Sequence, residues 1–283
     1  MARQPVGWQC VRVSSQPEQS SMQTLTLRFG ADNALLGLYG GQLLSWQSRS
    51  RERLFLSPRA VLDGSSAIRG GVPVIFPQFS ARGPFGRHGF ARCSRWSLSA
   101  QAQDWIELEL VDNLDTLRLW PYRFRVLLLV QLQQDALQMR LSVENRDSRS
   151  FEFSAALHAY SATALASTCI RGLAQAAFEE SGSRHLPSAD ALLRPQAPLD
   201  RIYTGGDDQL QLHDGQHGLR LERSGFDDWV VWNPGPEAAA ALPDLGAEAA
   251  ANFICIEPGC ILQPPRLAPG ASWSGTLRMT VDD

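Results

Sequence analysis

A regular alternation of apolar and polar residues at positions 137–144 is the feature that most constrains the fold. Leu137, Met139, Leu141 and Val143 alternate there with polar or charged neighbours. Because successive side chains of a β-strand point to opposite faces of a sheet, this period of two predicts a half-buried strand. Runs of similar strand-like character recur at 23–29, 53–56, 105–111, 124–132, 151–157, 209–213 and 273–281.

Turn-forming residues separate these runs, as at Asp112-Asn113 and Pro269-Gly270. Many short strands without long amphipathic helices between them predict an all-β fold, an antiparallel sandwich. A candidate helix at 237–251 is interrupted by Pro243 and Gly246, so we expect it to be short.

The chain shows neither an internal repeat nor a linker, so we expect one domain over residues 1–283. Residues 181–198 are rich in Pro, Ser, Ala and Arg, and they are predicted to form an extended loop over the sandwich.

Composition and charge exclude several functional classes. The formal net charge is −3, with acids and bases mixed, and this gives no basic field to attract nucleic acid or anionic lipid. The start of the chain lacks a signal peptide pattern, and no apolar run approaches the roughly 20 residues that cross a bilayer. We therefore expect a cytoplasmic protein that binds neither nucleic acid nor membrane.

Cysteine and lysine usage narrow the chemistry. The five cysteines are odd in number and scattered, which predicts reduced thiols rather than a disulfide framework. All 26 basic residues are Arg, so Schiff-base chemistry and a lysine general base are excluded. Any anion site must use arginine.

The segment 68–95 is the chemically densest part of the chain, with glycines and prolines between charged side chains. Loops held on a rigid sheet commonly carry binding groups. Guanidinium groups match phosphate and carboxylate bidentately, although these side chains could equally lie on a solvated loop. The arginines concerned are Arg69, Arg82, Arg87, Arg92 and Arg95.

Two further candidates stand at predicted strand ends. His158 follows the run 151–157, and Glu257 follows the apolar run 252–256 and precedes Pro258-Gly259. Partial burial can shift the pKa of both groups toward neutrality, as general acid–base catalysis requires. Taken singly, His158 could be a structural histidine, and Glu257 a salt-bridge partner of some arginine.

Motifs for other chemistries are absent. His213 and His217 have HxxxH spacing, but Asp214-Gly215 between them indicates a turn rather than a helix. The sequence contains no HExxH, GxSxG, GxxxxGK[ST] or GxGxxG, so we expect neither a metal nor another cofactor.

Six sequence blocks, in this order from about residue 25 onward, resemble those of the glucose-6-phosphate 1-epimerase (hexose-6-phosphate mutarotase) family, within the aldose 1-epimerase-like superfamily. They are Ile68-Arg69-Gly70-Gly71 with Phe76-Pro77, His88-Gly89-Phe90-Ala91-Arg92 before Trp96, Ala156-Leu157-His158-Ala159-Tyr160, Leu199-Asp200-Arg201-Ile202-Tyr203, Trp229-Val230-Val231-Trp232-Asn233-Pro234 and Cys255-Ile256-Glu257-Pro258.

The resemblance implies a galactose-mutarotase-like antiparallel supersandwich. It also implies cofactor-free interconversion of the α and β anomers of a hexose-6-phosphate, with glucose-6-phosphate the expected substrate. We expect the protein to be a monomer. His158 would protonate the ring oxygen, and Glu257 would take the proton of the anomeric hydroxyl, from opposite sides of the hemiacetal.

The same resemblance implies the substrate-binding residues. Arg69 and Arg92 would hold the phosphate, and His88 and Asp200 would contact sugar hydroxyls. The family commonly has Gln where this chain has Arg87, which would either strengthen phosphate binding or point elsewhere.

A second departure is Ser161, which replaces an aromatic residue and leaves the sugar-stacking wall undefined. Three other functions remain open: a mutarotase of unphosphorylated aldoses, a non-catalytic carbohydrate-binding sandwich, and a glycoside hydrolase. The last would need Asp200 and Glu257 as carboxylates roughly 5 to 10 Å apart.

Overall fold

The computed structural model describes residues 22–187 and 190–282, and these residues fold mainly into short strands. The strands are β1 (Thr24–Phe29), β2 (Asp32–Gly37), β3 (Gln42–Ser48), β4 (Arg51–Glu52), β5 (Val74–Ile75), β6 (Ser97–Gln101), β7 (Trp105–Val111), β8 (Phe124–Gln133), β9 (Ala136–Asn145), β10 (Phe151–Glu152), β11 (Ala155–Leu157), β12 (Tyr160–Ala162), β13 (Cys169–Arg171), β14 (Ala177–Glu180), β15 (Ser183–His185), β16 (Leu192–Leu193), β17 (Leu199–Thr204), β18 (Gln209–His213), β19 (Gly218–Ser224), β20 (Asp228–Asn233), β21 (Phe253–Cys260), β22 (Arg266–Leu267) and β23 (Ser272–Val281). The helices are α1 (Leu114–Leu119) and α2 (Gly235–Ala240), with 3₁₀ turns at Ala91–Cys93, Leu165–Ser167 and Ala247–Asn252.

Two large sheets dominate the described part of the chain. One has nine strands in the order β16-β13-β18-β19-β23-β9-β8-β7-β6. The other has eight, in the order β15-β14-β17-β20-β21-β11-β5, with β12 also paired to β21. Strands β1 to β4 form a separate four-stranded sheet, and β10 pairs with β22. Neighbouring strands run antiparallel throughout these sheets, which confirms the predicted all-β antiparallel fold.

The nine-stranded sheet shows the alternation that the sequence predicts. In β9, Leu137, Met139, Leu141 and Val143 are fully buried, and in the paired β8 every second side chain from Phe124 is buried. Apolar burial is the main stabilising term of folding, at about 25 cal/mol per Å². The period of two thus fixes which face of this sheet covers the core.

The eight-stranded sheet has two differently used faces. Trp229 and Val231 of β20 lie in the same core cluster as the inward face of β8 and β9. Their neighbours Val230 and Trp232 point the other way, where smaller apolar clusters lie. Strand β21 follows the same rule, so that its Glu257 stands on the outer face with Trp232. This outer face carries the candidate site.

Two strand predictions need correction. The run 53–56 is not a continuous strand, because its backbone pairs only through isolated bridges at Leu54 and Leu56. The run 151–157 is split into β10 and β11, because the amides of Phe153 and Ser154 donate to the carbonyls of Pro265 and Pro77 rather than to one neighbouring strand.

The helical prediction was partly right. Residues 237–251 are divided into α2 and the 3₁₀ turn Ala247–Asn252, and the break includes Pro243 and Gly246. The short helix α1 was not predicted from the sequence, and its start is capped by reciprocal hydrogen bonds between Asn113 and Thr116.

The segment 181–198 is less irregular than predicted, since β15 pairs with β14 and β16 pairs with β13. Cys93 is disulfide-bonded, which contradicts the expectation of five reduced thiols, whereas Cys169, Cys255 and Cys260 are free. Within the described residues, no helix combines the length and apolar character needed to cross a membrane.

Candidate active site

A cavity of about 680 Å³ opens on the outer face of the eight-stranded sheet. Its walls come from strands β17, β20 and β21, from the segment between β5 and β6, and from the turns around α2. All seven predicted site residues line it, namely Arg69, Arg87, His88, Arg92, His158, Asp200 and Glu257. Residues up to 188 positions apart in sequence are thus brought together by the sheet order.

His158 and Glu257 meet at the base of this cavity. His158 directly follows β11, as the sequence predicts, and its backbone amide donates to Pro73 O at 3.0 Å. Glu257, in contrast, lies inside β21 and not at a strand end, because the strand continues through Pro258, which pairs opposite Trp229. The prediction of a strand-end carboxylate is wrong for this reason, although the side chain is buried as expected.

The two side chains are in direct contact. His158 Nδ1 lies 3.2 Å from Glu257 Oε1, but the geometry is not that of a hydrogen bond, and both His158 Nδ1 and Glu257 Oε2 lack hydrogen-bond partners among the described residues. Burial, reinforced by the cations of Arg92 and Arg69, lowers the pKa of His158 well below its usual value. Burial and the nearby Asp200 raise the pKa of Glu257 well above its usual value.

Aromatic side chains hold the imidazole of His158 in place. The ring of Tyr160 stacks on it, with centroids 4.9 Å apart and planes 12° apart. The ring of Trp232 meets it edge-on at 5.8 Å. Such contacts restrict the orientations that the imidazole can adopt.

His88 has a defined tautomer. Its Nδ1 accepts a hydrogen bond from the amide of Ser80 at 3.3 Å, so its proton is on Nε2. Burial and the charge of Arg92 lower the pKa of His88 well below its usual value, so the ring is neutral. Its backbone has φ +67°, and the next residue, Gly89, has φ +68°. At Gly89 an added Cβ would collide with Phe76 O, so only glycine fits this close approach.

Arg69 is held by two protein groups. Its Nε donates to Asp244 Oδ2 at 3.2 Å, and its Nη1 donates to Tyr160 Oη at 3.3 Å. Although burial opposes it, these two partners raise the pKa of Arg69 above its usual value. The backbone of the adjacent Gly70 lies against Phe55 O, where any Cβ would clash, and this contact directs the segment into the cavity wall.

Arg92 has no carboxylate partner in the described part of the chain. Its Nη2 donates to Arg87 O at 2.8 Å, and its buried Nε makes no hydrogen bond. Burial and the charges of Arg69 and Arg87 lower its pKa to about 10. The side chain is half-buried, but a buried guanidinium nitrogen without a partner is costly to the fold, and an anionic ligand would supply the missing acceptor.

Two of the five arginines singled out in the sequence do not line the cavity. Arg82 forms an ion pair with Glu179, and Arg95 donates to Gln23 Oε1 at 2.6 Å. Arg87 does line it, so the departure from glutamine places an additional cation beside Arg92.

Asp200 lies in one row with the aromatic residues Trp232 and Tyr160 across the eight-stranded sheet. Asp200 pairs opposite Trp232, which pairs opposite Cys255, which pairs opposite Tyr160. Burial raises the pKa of Asp200. Ser161 is buried and does not line the cavity, because it alternates with Tyr160 along β12. Its difference from the family therefore leaves the wall intact.

Sequence reasoning missed three residues of the site. Tyr160 and Trp232 lay inside the sequence blocks but were given no role. Asp244 lay in a Pro- and Gly-interrupted segment with no local signal, because its contact with Arg69 spans 175 positions.

Among the described residues, one group of buried side chains at the base of the cavity has donor atoms that a metal could use, and two of its three members line the cavity. The donor atoms of His158, Cys255 and Glu257 lie within 4.8 Å of one another. Arg69 and Arg92 act on the same group electrostatically, and their positive charges oppose a second cation there. The residues therefore fit a proton-transfer pair better than a metal site.

Comparison with known proteins defines the family. The sequence model of the aldose 1-epimerase family matches residues 23–280. A protein of Cenchrus ciliaris named "Putative glucose-6-phosphate 1-epimerase" is 30% identical over 282 residues, which cover 92% of this chain and 85% of the relative. A protein of the same name from Escherichia coli (strain K12) is 26% identical over 272 residues, with 89% and 88% covered.

Solved structures show the same fold. The crystal structure of a "putative mutarotase (YeaD)" from Salmonella typhimurium superimposes with a TM-score of 0.85 at 23% identity, covering 93% of this chain and 91% of that one. A "galactose mutarotase related enzyme" from Lactobacillus acidophilus gives a TM-score of 0.76 at 17% identity, with 92% and 98% covered. The predicted galactose-mutarotase-like sandwich is confirmed.

Fold, cavity and family model agree on an enzyme that acts on sugars, and the chain belongs to the aldose 1-epimerase family. It is an isomerase that interconverts sugar anomers.

Proposed function

We propose that the substrate is a hexose-6-phosphate, with glucose-6-phosphate the preferred one. The observation that carries this proposal is Arg92, a half-buried side chain whose Nε is buried and unpartnered, with no carboxylate partner among the described residues. Arg69 and Arg87 line the same cavity. A phosphate monoester carries about −1.5 to −2 charge at pH 7 and several acceptor oxygens, which such a group of donors matches.

The names of the relatives support the same substrate. The proteins from Cenchrus ciliaris and Escherichia coli are both named for glucose-6-phosphate. A mutarotase of unphosphorylated aldoses would gain nothing from three clustered cations, which repel one another when no anion is bound.

In the proposed reaction, His158 and Glu257 open and close the sugar ring. The pair shares one proton, and the reaction starts from the form that carries it on His158. The imidazolium of His158 gives this proton to the ring oxygen while the carboxylate of Glu257 removes the proton of the anomeric hydroxyl. The bond between C1 and the ring oxygen breaks, and C1 becomes an aldehyde. After rotation about the C1–C2 bond, the C5 hydroxyl attacks the other face of the aldehyde and returns its proton to His158, while Glu257 returns its proton to the new anomeric oxygen.

The contact between the two side chains suits this reaction. The ring oxygen and the anomeric oxygen are both bonded to C1, so an acid and a base that face them must themselves be close neighbours. The 3.2 Å separation between His158 Nδ1 and Glu257 Oε1 meets that requirement. The family resemblance places acid and base on opposite sides of the hemiacetal, but the proposed reaction does not need that arrangement. The direct pairing of Glu257 with His158 also favours this role over a glycosidase in which Glu257 would work with Asp200.

His88 and Asp200 would bind sugar hydroxyls. The Nε2–H of His88 is a donor, and the carboxylate of Asp200 is an acceptor, so together they fit groups that both accept and donate. Trp232 offers an apolar surface in the same row as Asp200.

Anomer-exchange NMR on glucose-6-phosphate and on free glucose tests the proposal. We expect the enzyme-catalysed exchange to have a higher kcat/KM with glucose-6-phosphate, measured above the spontaneous rate. A preference for free glucose would overturn the phosphate assignment and leave a mutarotase of free aldoses.

We also propose that the protein is a single-domain monomer in the cytoplasm. The free thiols of Cys169, Cys255 and Cys260 are consistent with a reducing compartment, whereas the disulfide at Cys93 is not. Sedimentation equilibrium at several concentrations tests the state, and a mass of twice 31.2 kDa would contradict it.

A further inference from the structure

Tyr160 touches both halves of the proposed machinery. Its hydroxyl accepts a hydrogen bond from Arg69 Nη1, and its ring stacks on the imidazole of His158. Both contacts are shielded from solvent, since Tyr160 is only 2% exposed. One side chain therefore connects the phosphate-binding arginine to the acid of the reaction.

The hydroxyl group of Tyr160 fixes the orientation of the Arg69 guanidinium group. Asp244 holds Nε and Tyr160 holds Nη1, while Nη2 has no partner in the described part of the chain. Because the guanidinium is planar and rigid, two fixed nitrogens also fix the third. The hydroxyl's own proton has no acceptor among the described residues, so it is available to a phosphate oxygen. Burial raises the pKa of Tyr160, and the hydroxyl remains protonated at neutral pH.

The ring fixes the plane of His158. Tyr160 is itself held from behind by Phe253, with centroids 5.1 Å apart, and at its edge by Trp232 at 6.1 Å. An imidazole that stacks on an immobile ring at 4.9 Å cannot rotate freely away from the hemiacetal. Small misplacement of a catalytic group is costly, at about 100-fold in rate for 1 Å.

We infer that Tyr160 is a positioning residue with two separable functions: its hydroxyl aligns Arg69 for the substrate phosphate, and its ring aligns His158 for proton transfer. This inference rests on the proposed function. It makes phosphate recognition and ring opening depend on one side chain, through different atoms of that side chain.

Two substitutions separate the functions. Tyr160→Phe removes the hydroxyl and keeps the stacking ring, so KM for glucose-6-phosphate should rise about 3- to 10-fold, the worth of one hydrogen bond, and this rise should exceed any change in kcat or in the activity on free glucose. Tyr160→Leu removes both, so kcat should fall about 10-fold or more on both sugars. Inorganic phosphate, as a competitive inhibitor, should bind more weakly to both variants.

Tyr203→Phe is the matched control. Tyr203 Oη accepts a hydrogen bond from Arg201 Nη1 at 3.5 Å, outside the cavity, so the same chemical change should alter neither KM nor kcat. Circular dichroism and thermal denaturation establish that each variant is folded, and the conservative Phe variant keeps the test informative if Leu is not tolerated.

The outcomes distinguish this inference from the proposed function. An unchanged KM and an unchanged phosphate inhibition constant in Tyr160→Phe would overturn the role of the hydroxyl. Normal kcat in a folded Tyr160→Leu variant would overturn the role of the ring. A wild-type enzyme that prefers free glucose would instead refute the phosphate substrate, whatever the variants do.

Discussion

His158 and Glu257 are in contact at 3.2 Å, yet each keeps a buried polar atom without a hydrogen bond among the described residues. Leaving a buried donor or acceptor unsatisfied costs about 1 to 3 kcal/mol. Each such group needs an explanation, and a bound ligand or a catalytic role is one. The two unpartnered atoms support the proposal that the pair serves a substrate.

The first prediction concerns the pair itself. Replacing His158 with Ala or Glu257 with Gln should lower the anomer-exchange rate at least about 100-fold, because positioned acid–base groups contribute that much or more. Anomer-exchange NMR measures the rate, and circular dichroism checks folding. His185→Gln and Glu152→Gln, at exposed positions on β15 and β10, are matched controls and should keep full activity. Near-normal exchange in a folded variant of either residue would remove that residue from the mechanism.

The second prediction is a pH profile. The active pair carries one proton between its two members. A lowered pKa of His158 means that the doubly protonated form arises only well below pH 6.5, and a raised pKa of Glu257 means that the proton-free form arises only well above pH 4.5. Activity should therefore fall at acidic pH, where His158 becomes protonated while Glu257 is still protonated. It should also fall at basic pH, where Glu257 loses its proton and neither member of the pair carries one.

The profile should be measured on free glucose, since the substrate phosphate itself titrates near pH 6. We expect no acidic loss of kcat/KM until the pH is below about 6.5, the ordinary pKa of histidine. An acidic limb centred above that value would show that His158 is not shifted downward.

The third prediction separates phosphate binding from catalysis. Arg69→Ala and Arg92→Ala should each cost about 1.5 to 3 kcal/mol in kcat/KM on glucose-6-phosphate, the worth of hydrogen bonds to charged groups. Activity on free glucose should barely change. Arg146→Ala, at a partly exposed surface ion pair, is the control and should affect neither sugar. Equal losses on both sugars would assign Arg69 and Arg92 to the architecture of the loop.

The fourth prediction is that chelators leave activity intact. Proton transfer by His158 and Glu257 needs no Lewis acid, and the neighbouring arginines oppose a bound cation. Exchange rates should be the same before and after EDTA treatment and dialysis. Loss of activity that a divalent ion restores would show that His158, Cys255 and Glu257 bind a metal after all.

The fifth prediction tests the turn that carries His88. Gly89→Ala forces a Cβ against Phe76 O at a positive φ, so the free energy of unfolding should fall by about 1 to 3 kcal/mol through overpacking and strain. Gly270 also has positive φ, +75°, but its Cβ would meet nothing within 4 Å, so Gly270→Ala should cost clearly less. Urea denaturation measures both. Equal losses would mean that the contact with Phe76 is not tight.

Much of the architecture is readable from the sequence. The alternation in β9 and the unbroken runs of β7 and β18 predict strands at the observed bounds or within one residue, because a period of two reports which side chains face a core. The side-chain pattern does not report the hydrogen-bond partners of the backbone. At Phe153 and Ser154 the amides donate outside a single neighbouring strand, so the prediction of one continuous strand over 151–157 is wrong.

The candidate site also combines features that the sequence predicts with features that it does not. Sequence blocks identified Arg69, Arg92, His158 and Glu257 as residue types suited to phosphate binding and proton transfer, and by itself the sequence determined that any anion site would use arginine. Only the tertiary structure decided that Glu257 contacts His158, that Arg92 keeps a buried Nε without a partner among the described residues, and that Tyr160 lies between Arg69 and His158. The physical reason is that these relations depend on the order and register of antiparallel strands, whose pairing joins distant segments through hydrogen bonds between backbone groups common to every residue.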